Sequence, residues 1–379
     1  MNERARWKVL PPAPQDYLNA SGLPPLIAQL LYNRSIKLED IDAFLSADHR
    51  LEGNPFLLPD ISQAVSRVYK AVLAREKIAV YGDFDVDGVT AIVILVEGLS
   101  RLGAEVIPYI PDRIKEGHGL KISALEKLRA QGTKLIITVD CGVTDIKEVK
   151  QAQDMGMDMI ITDHHMPPKS LPRAVAVVDP KRKDSAYPFM DLAGAGVAFK
   201  FLQALFHKHS REKWLTRLLD LVVLATVTDL VTLVGENRYL VKEGLKELNN
   251  SSLVGIQEMV KLAGLKLGEL DAEDISWVLG PRLNAAGRMN NASTSYQLLT
   301  TRSSEEARLL ALELEEKNAE RQKLTKEVLN RATEKLAAKL HLPVLIDSDE
   351  SYSIGVIGLV ASKLVDEFYK PAIIINLGP

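Results

Sequence analysis

A single cysteine, Cys141, stands in a chain of 379 residues. One thiol closes no internal disulfide, builds no cysteine-spaced zinc site, and fits a reducing cytosol. Long apolar runs are equally scarce. The N-terminus, MNERARWKVLPPAPQDYL, lacks the apolar core of a signal peptide. The strongest membrane candidate, Trp214 to Val234, is interrupted by Arg217, Asp220 and Asp229, so it reads as a buried helix and no membrane span is expected. There is no low-complexity tract and no internal repeat. Excess charge is also small: a net charge of -3 neither suggests nor excludes a nucleic-acid partner, because binding depends on local patches and bound cations.

What is present is globular composition, 46% apolar and 26% charged, over a length that suits more than one domain. From residue 61 onward, strand-like and helix-like segments alternate, as in an α/β domain with a mainly parallel sheet. KIAVY, EVIPYI, KLIITVD, MDMIITD and AVAVVDP read as strands; ISQAVSRVYKAVLARE, VTAIVILVEGLSRLG, SALEKLRAQG and DIKEVKQAQDMG read as the helices between them. Residues 1–60 read as a short helical lead-in, 61–302 as the α/β domain with apolar helices packed over its sheet, and 303–340 as one long connector helix. Ser303 and Glu306 form a capping-box pattern at the connector's start, and at 1.5 Å per residue it would reach about 55 Å. Residues 341–379 read as strand, loop, helix, strand, the beginning of a second α/β domain that is expected to be cut short.

Four successive strand ends carry or adjoin unusual residues. Asp83, Asp85 and Asp87 follow the first, Arg113 the second, Asp140 ends the third, and Asp163, His164 and His165 end the fourth. Ligands bind at the carboxyl ends of strands in open α/β sheets, and clustered carboxylates repel one another unless a cation neutralises them. Oxygen ligands with one or two imidazoles suit Mn²⁺ or Mg²⁺ better than a structural zinc. Asp229, inside LVVLATVTDLVTLV, needs a partner as well; a metal is one and a helix cap or hydrogen bond is another. DFDVDG alone resembles a calcium loop, but the twelfth position that should be glutamate is Ile94. Each aspartate taken singly could be a turn former, and the histidine pair a loop hydrogen bond; their joint occurrence on one rim favours the metal reading.

These residues resemble the DHH phosphoesterase superfamily and, within it, the RecJ family of single-strand-specific exonucleases. VYGDFDVDGVTA is similar to the first motif, ITVDCGVT to the second, IITDHHMPP to the Asp-His-His motif, and LATVTDLVTLVGENRYLVKEGL to the fourth. IPDRIKEGHGL and GPRLNAAGRMNNA resemble stretches found in this branch, and SIGVIGLVASKL resembles the entry to the associated phosphate-handling, DHHA1-type domain. The resemblance runs from about residue 50 to the end. It implies two divalent ions, Mn²⁺ or Mg²⁺, held by Asp83, Asp85, Asp87, Asp140, His164 and Asp229. Asp83 is either a ligand or a supporting group. Asp163 is expected to orient the histidines, with His165 at the scissile phosphate and Asp140, His164 and His165 as the catalytic set.

The resemblance further implies a 5′ to 3′ exonuclease on single-stranded DNA, releasing mononucleotides in DNA repair and recombination. Arg113, Arg288 and, in a closely approaching loop, Gly119 are the residues expected beside the DNA, with Arg282 a weaker candidate. A single-strand-binding protein and a helicase are the implied partners, the cytoplasm the implied location, and a monomer the implied state. The chain stops before the family's GGH-type motif and its OB-type domain, which should weaken DNA grip and polarity more than the metal cluster. Two other readings stand beside this one: a DHH-family phosphodiesterase of short oligonucleotides or small nucleotides, and an inactive scaffold of the Cdc45 type.

Overall fold

The computed structural model describes residues 8–210, 212–289 and 292–378. Residues 1–7 of the lead-in, Arg211, Asn290 and Asn291 of the GPRLNAAGRMNNA stretch, and Pro379 lie outside the described residues.

All five expected strands form. They are β1 (Lys77–Tyr81), β2 (Glu105–Tyr109), β3 (Thr133–Val139), β4 (Asp158–Thr162) and β5 (Ala176–Val178). They make one parallel sheet in the order β2-β1-β3-β4-β5. The inner strands are near-continuous apolar runs because both faces of a parallel sheet are covered. Ile78 and Val80 of β1 face a core shared with the helices Ile61–Leu73, Val86–Arg101, Gly194–Leu205 and Leu219–Thr228. Ala79 and Tyr81 face the opposite core, beneath Ile122–Ala130 and Ile146–Asp154. The strand order reverses between β1 and β3, and that reversal opens a crevice at their carboxyl ends.

Two expected helices differ from what forms. The helix after β1 begins at Val86, three residues before the expected start at Val89, so Asp87 lies inside its first turn. The Trp214 to Val234 segment splits: a 3₁₀ stretch, Glu212–Leu218, leads into an α-helix of ten residues, Leu219–Thr228, that ends at Asp229. That helix is apolar on every side because it is buried on every side.

The connector forms as Ser304–Leu336, 33 residues, close to 50 Å at the helical rise. Only half of its expected capping box is made. The Ser303 hydroxyl accepts the Glu306 amide at 3.3 Å, while the Glu306 carboxylate takes the Thr301 hydroxyl. Beyond the connector, β6 (Leu345–Asp349) and β7 (Ala372–Asn376) pair in parallel beside the helix Ile357–Phe368. Their small core uses Val328, Ala332 and Leu336 of the connector.

Candidate metal centre

The three aspartates after β1 take three different places. Asp85 caps the helix Val86–Arg101, its Oδ1 accepting the Gly88 amide at 3.1 Å. Asp87 projects from the helix's first turn, and Asp83 stays in the loop before the cap. Gly88 is helical, in the same first turn. Its glycine provides room: a Cβ there would lie 2.6 Å from the Asp83 carbonyl oxygen.

Asp140, directly after β3, has φ at +56°, a left-handed backbone that costs energy for any residue with a side chain. A Cβ on Gly194 would sit 2.7 Å from the Asp140 Cβ, so the start of the helix Gly194–Leu205 closes onto this carboxylate only because it is glycine. The same helix end holds Asp87: the amides of Gly194 and Ala195 each donate to one of its oxygens at 2.6 Å. A helix N-terminus is a natural seat for a carboxylate.

His164 Nε2 is the hub, 3.0 Å from Asp140 Oδ1, 3.6 Å from Asp87 Oδ2 and 3.8 Å from Asp229 Oδ2. His165 Nδ1 lies 2.8 Å from Asp163 Oδ1 and 3.9 Å from Asp140 Oδ1. Asp163 also accepts the amides of Val143, His164 and His165, so its oxygens are fully occupied in orienting this turn. Its burial works to raise its pKa, but the His165 hydrogen bond and charge outweigh that and hold the carboxyl below its ordinary value. The same bond pushes His165 up to about 9.

The remaining acids go the other way. Burial first, then the Asp83 charge, raises Asp85. Burial raises Asp87 despite the opposing pull of His164. Asp140 is driven well above the carboxylate range by burial and then by Asp87 and Asp85, and Asp229 is pushed to about 6 by burial and Asp87. These are like charges awaiting a cation. Three groups have donor atoms within 4.8 Å of one another: Asp83, Asp85 and Asp140; Asp87, His164 and Asp229; and Asp140, His164 and His165. Asp83 Oδ1 is buried with no hydrogen-bond partner, as expected of a group that lacks a ligand. The other Asp83 oxygen is 3.0 Å from His118 Nδ1.

Asp83, Asp85, Asp140, Asp163, His165 and Asp229 line a cavity of about 320 Å³ whose wall includes Gly119. Gly119 has φ at +75° and packs on the Asp145 carboxylate, which also accepts the Leu120 amide. Its carbonyl takes the Tyr81 hydroxyl. The Arg113 guanidinium lies 5.0 Å from the Phe84 ring, which packs 4.3 Å from the His118 ring of the cavity wall. Arg288 comes from the helix Gly280–Met289, which is pinned to the first loop where Asn284 Oδ1 accepts the Val86 amide. Burial, and the charges of Arg113 and Arg321, lower Arg288. Arg282 points elsewhere; its fork is taken by Glu315 of the connector.

Several contributors are absent from the sequence reading. Gly194 and Ala195 hold Asp87, and the paired glycines of LAGAG ahead of an apolar helix were the available signal. Arg321 joins Arg113 and Arg288 from a connector so rich in charge that no single arginine stands out; its Nε is buried without a partner. Asp179, just past β5, is pushed to about 7 by burial, with one oxygen unpartnered.

Residues 77–226 match the family model described as DHH family, N-terminal domain. With five parallel strands and an acid and histidine cluster at their switch point, the molecule is a DHH-domain protein. The single-stranded-DNA-specific exonuclease RecJ of Bacillus subtilis (strain 168) is 39% identical over 99% of this chain and 48% of its own length. A crystal structure of exonuclease RecJ bound to manganese is 33% identical with a TM-score of 0.76, covering 84% of this chain and 80% of that one. RecJ from Thermus thermophilus in complex with Mn²⁺ is 30% identical with a TM-score of 0.84, over 99% of this chain and 55% of that one. The chain belongs to the RecJ family, and it spans about half the length of the Bacillus relative.

Proposed function

We propose that this chain is the catalytic portion of a metal-dependent exonuclease that hydrolyses single-stranded DNA from its 5′ end and releases mononucleotides, in DNA repair and recombination. The observation that carries the reading is the convergence of Asp83, Asp85, Asp87, Asp140, His164 and Asp229 at the sheet's switch point. Relatives of this family named as single-stranded-DNA-specific exonucleases supply the substrate class.

Two divalent ions, Mn²⁺ or Mg²⁺, suit the donor set: Asp83, Asp85 and Asp140 would hold one, and Asp87, His164 and Asp229 the other. Bound there, such ions supply an activated water and charge stabilisation for in-line displacement at phosphorus. The chain's own residues bind and orient. His165, kept protonated by Asp163, has its other ring nitrogen available to donate to a phosphate oxygen. Arg113 and Arg288 offer guanidinium forks to the flanking phosphates, and Arg321 adds a third positive charge. Gly355 of the second lobe meets the Arg288 carbonyl so closely that a Cβ would lie 2.2 Å away, which narrows the approach in favour of a single strand.

No helix among the described residues is long and apolar enough to cross a membrane. A cytoplasmic monomer, working with a single-strand-binding protein and a helicase, completes the proposal. A time course on single-stranded DNA labelled at either end, with Mn²⁺ and with Mg²⁺, tests it. Loss of the 5′ label as mononucleotide is expected, and shortening from the 3′ end first overturns the polarity. Unchanged Mn²⁺-dependent cleavage by Asp140→Ala would sink the metal assignment. Faster turnover of a dinucleotide or pyrophosphate than of a long 5′-phosphorylated oligonucleotide favours the small-substrate reading.

A further inference from the structure

A second cavity lies at the opposite end of the helix Val86–Arg101 from the acidic centre. The two are of equal size, about 330 Å³ and about 320 Å³, and of opposite character. The helix has 16 residues, which sets the two ends about 24 Å apart. Asp85 caps the N-terminal end; Arg101, in the last turn, lines the second cavity together with Arg217 and Arg302. Among the described residues, neither Arg217 nor Arg302 has a carboxylate partner. Arg101 lies 4.0 Å from the centroid of the Trp214 ring, making a flat cationic and aromatic wall. Of the two carboxylates on the lining, Asp220 is buried and takes the Ser251 hydroxyl at 2.7 Å, which leaves Glu97. Leu221, Val254 and Leu299 give the cavity an apolar floor.

Each half of this lining rules out a simple ligand. A bare inorganic anion gains nothing from the leucines and valine, and a purely apolar ligand gains nothing from the guanidinium groups of Arg217 and Arg302. A molecule with a phosphate at one end and a flat ring at the other satisfies both halves. We propose that this cavity is a second ligand site, for a nucleoside monophosphate. Arg217 and Arg302 grip the phosphate, and the base lies against the apolar floor beside the Trp214 and Arg101 wall. Nothing in the proposed nuclease reaction requires this site. Its occupant would bear on the helix whose other end carries Asp85 and Asp87, so occupancy and turnover are linked through one rigid element.

Trp214 provides the probe. The chain has three tryptophans, Trp7, Trp214 and Trp277; with Trp7→Phe and Trp277→Phe, fluorescence reports Trp214 alone. Titrating deoxyadenosine monophosphate into the Mn²⁺-loaded chain is expected to give a saturable change, matched by weaker binding of inorganic phosphate. Arg217→Ala combined with Arg302→Ala is expected to weaken binding by about tenfold or more. Both arginines are exposed, so the double variant should fold and cleave DNA normally without added nucleotide. Asp140→Ala, which damages the acidic centre, should leave the Trp214 signal intact. The proposal is overturned by a flat titration at millimolar nucleotide, or by undiminished binding in the double variant. Inorganic phosphate binding as tightly as the nucleotide would also overturn it, as would displacement by an acidic peptide alone.

Discussion

Asp140 shows how much local cost one side chain carries to reach its place. Its backbone is left-handed, its carboxylate is buried, and its neighbours Asp87, Asp85 and Asp83 all repel it. What permits this is a missing atom on the opposing helix, the Cβ that Gly194 lacks. Gly194→Ala is therefore expected to destabilise the protein by about 1–3 kcal/mol and to lower Mn²⁺-dependent turnover by about a hundredfold, since displacement of a reacting group by an ångström costs that much. Gly196→Ala is the control, because its Cβ would find only ordinary contact with Leu192 at 3.5 Å. Chemical denaturation and single-turnover cleavage, measured on both variants, decide the matter; equal effects would refute the steric account.

At the scale of elements, the roof over the site is held by paired contacts between helices. Arg282 of Gly280–Met289 donates from Nε to Glu315 at 2.5 Å and from Nη2 at 3.3 Å, joining the roof to the connector. Both side chains are partly exposed, so a double-mutant cycle between Arg282→Ala and Glu315→Ala should return a coupling of about 0.5–1 kcal/mol. A coupling near zero would mean that apolar packing alone joins the helices. The strands were readable because each is an apolar run closed by a polar rim, and the acids that gather at the crevice were readable because they stand on that rim. The role of Gly88 lies in three dimensions: it clears the Asp83 carbonyl, a contact made by the loop folding back on itself. Arg282 and Arg321 could not be told apart in sequence either. One is paired across a helix interface and the other has a buried, unpartnered Nε, and only packing distinguishes them.

For the whole molecule, the centre couples charge to stability. The folded pKa values of Asp85, Asp87, Asp140 and Asp229 all lie above the value of a free aspartate. Groups shifted upward bind more protons folded than unfolded, so these four favour the metal-free fold at low pH, and that contribution is lost as pH rises through the folded values. For Asp229 that passage is centred at about 6. Divalent cations replace those protons. The rise in Tm on adding Mn²⁺ should consequently be larger at pH 8 than at pH 5, and binding should release protons, measurable by calorimetry in buffers of different ionisation enthalpy. A Tm shift independent of pH would contradict a shared acidic centre. Cleavage should fall at acid pH, as protons compete with divalent cations for these carboxylates.

The seam between the lobes carries a mechanical consequence. Gly355 touches the Arg288 carbonyl with no side chain between them, and the second lobe is otherwise strung on a connector of 33 residues. A tilt of that lobe cannot be absorbed by a rotating side chain at the seam; it must either part the contact or push the Arg288 backbone. The Arg288 side chain, which interacts with the charges of Arg113, Arg321 and Asp85, thus follows the second lobe's position.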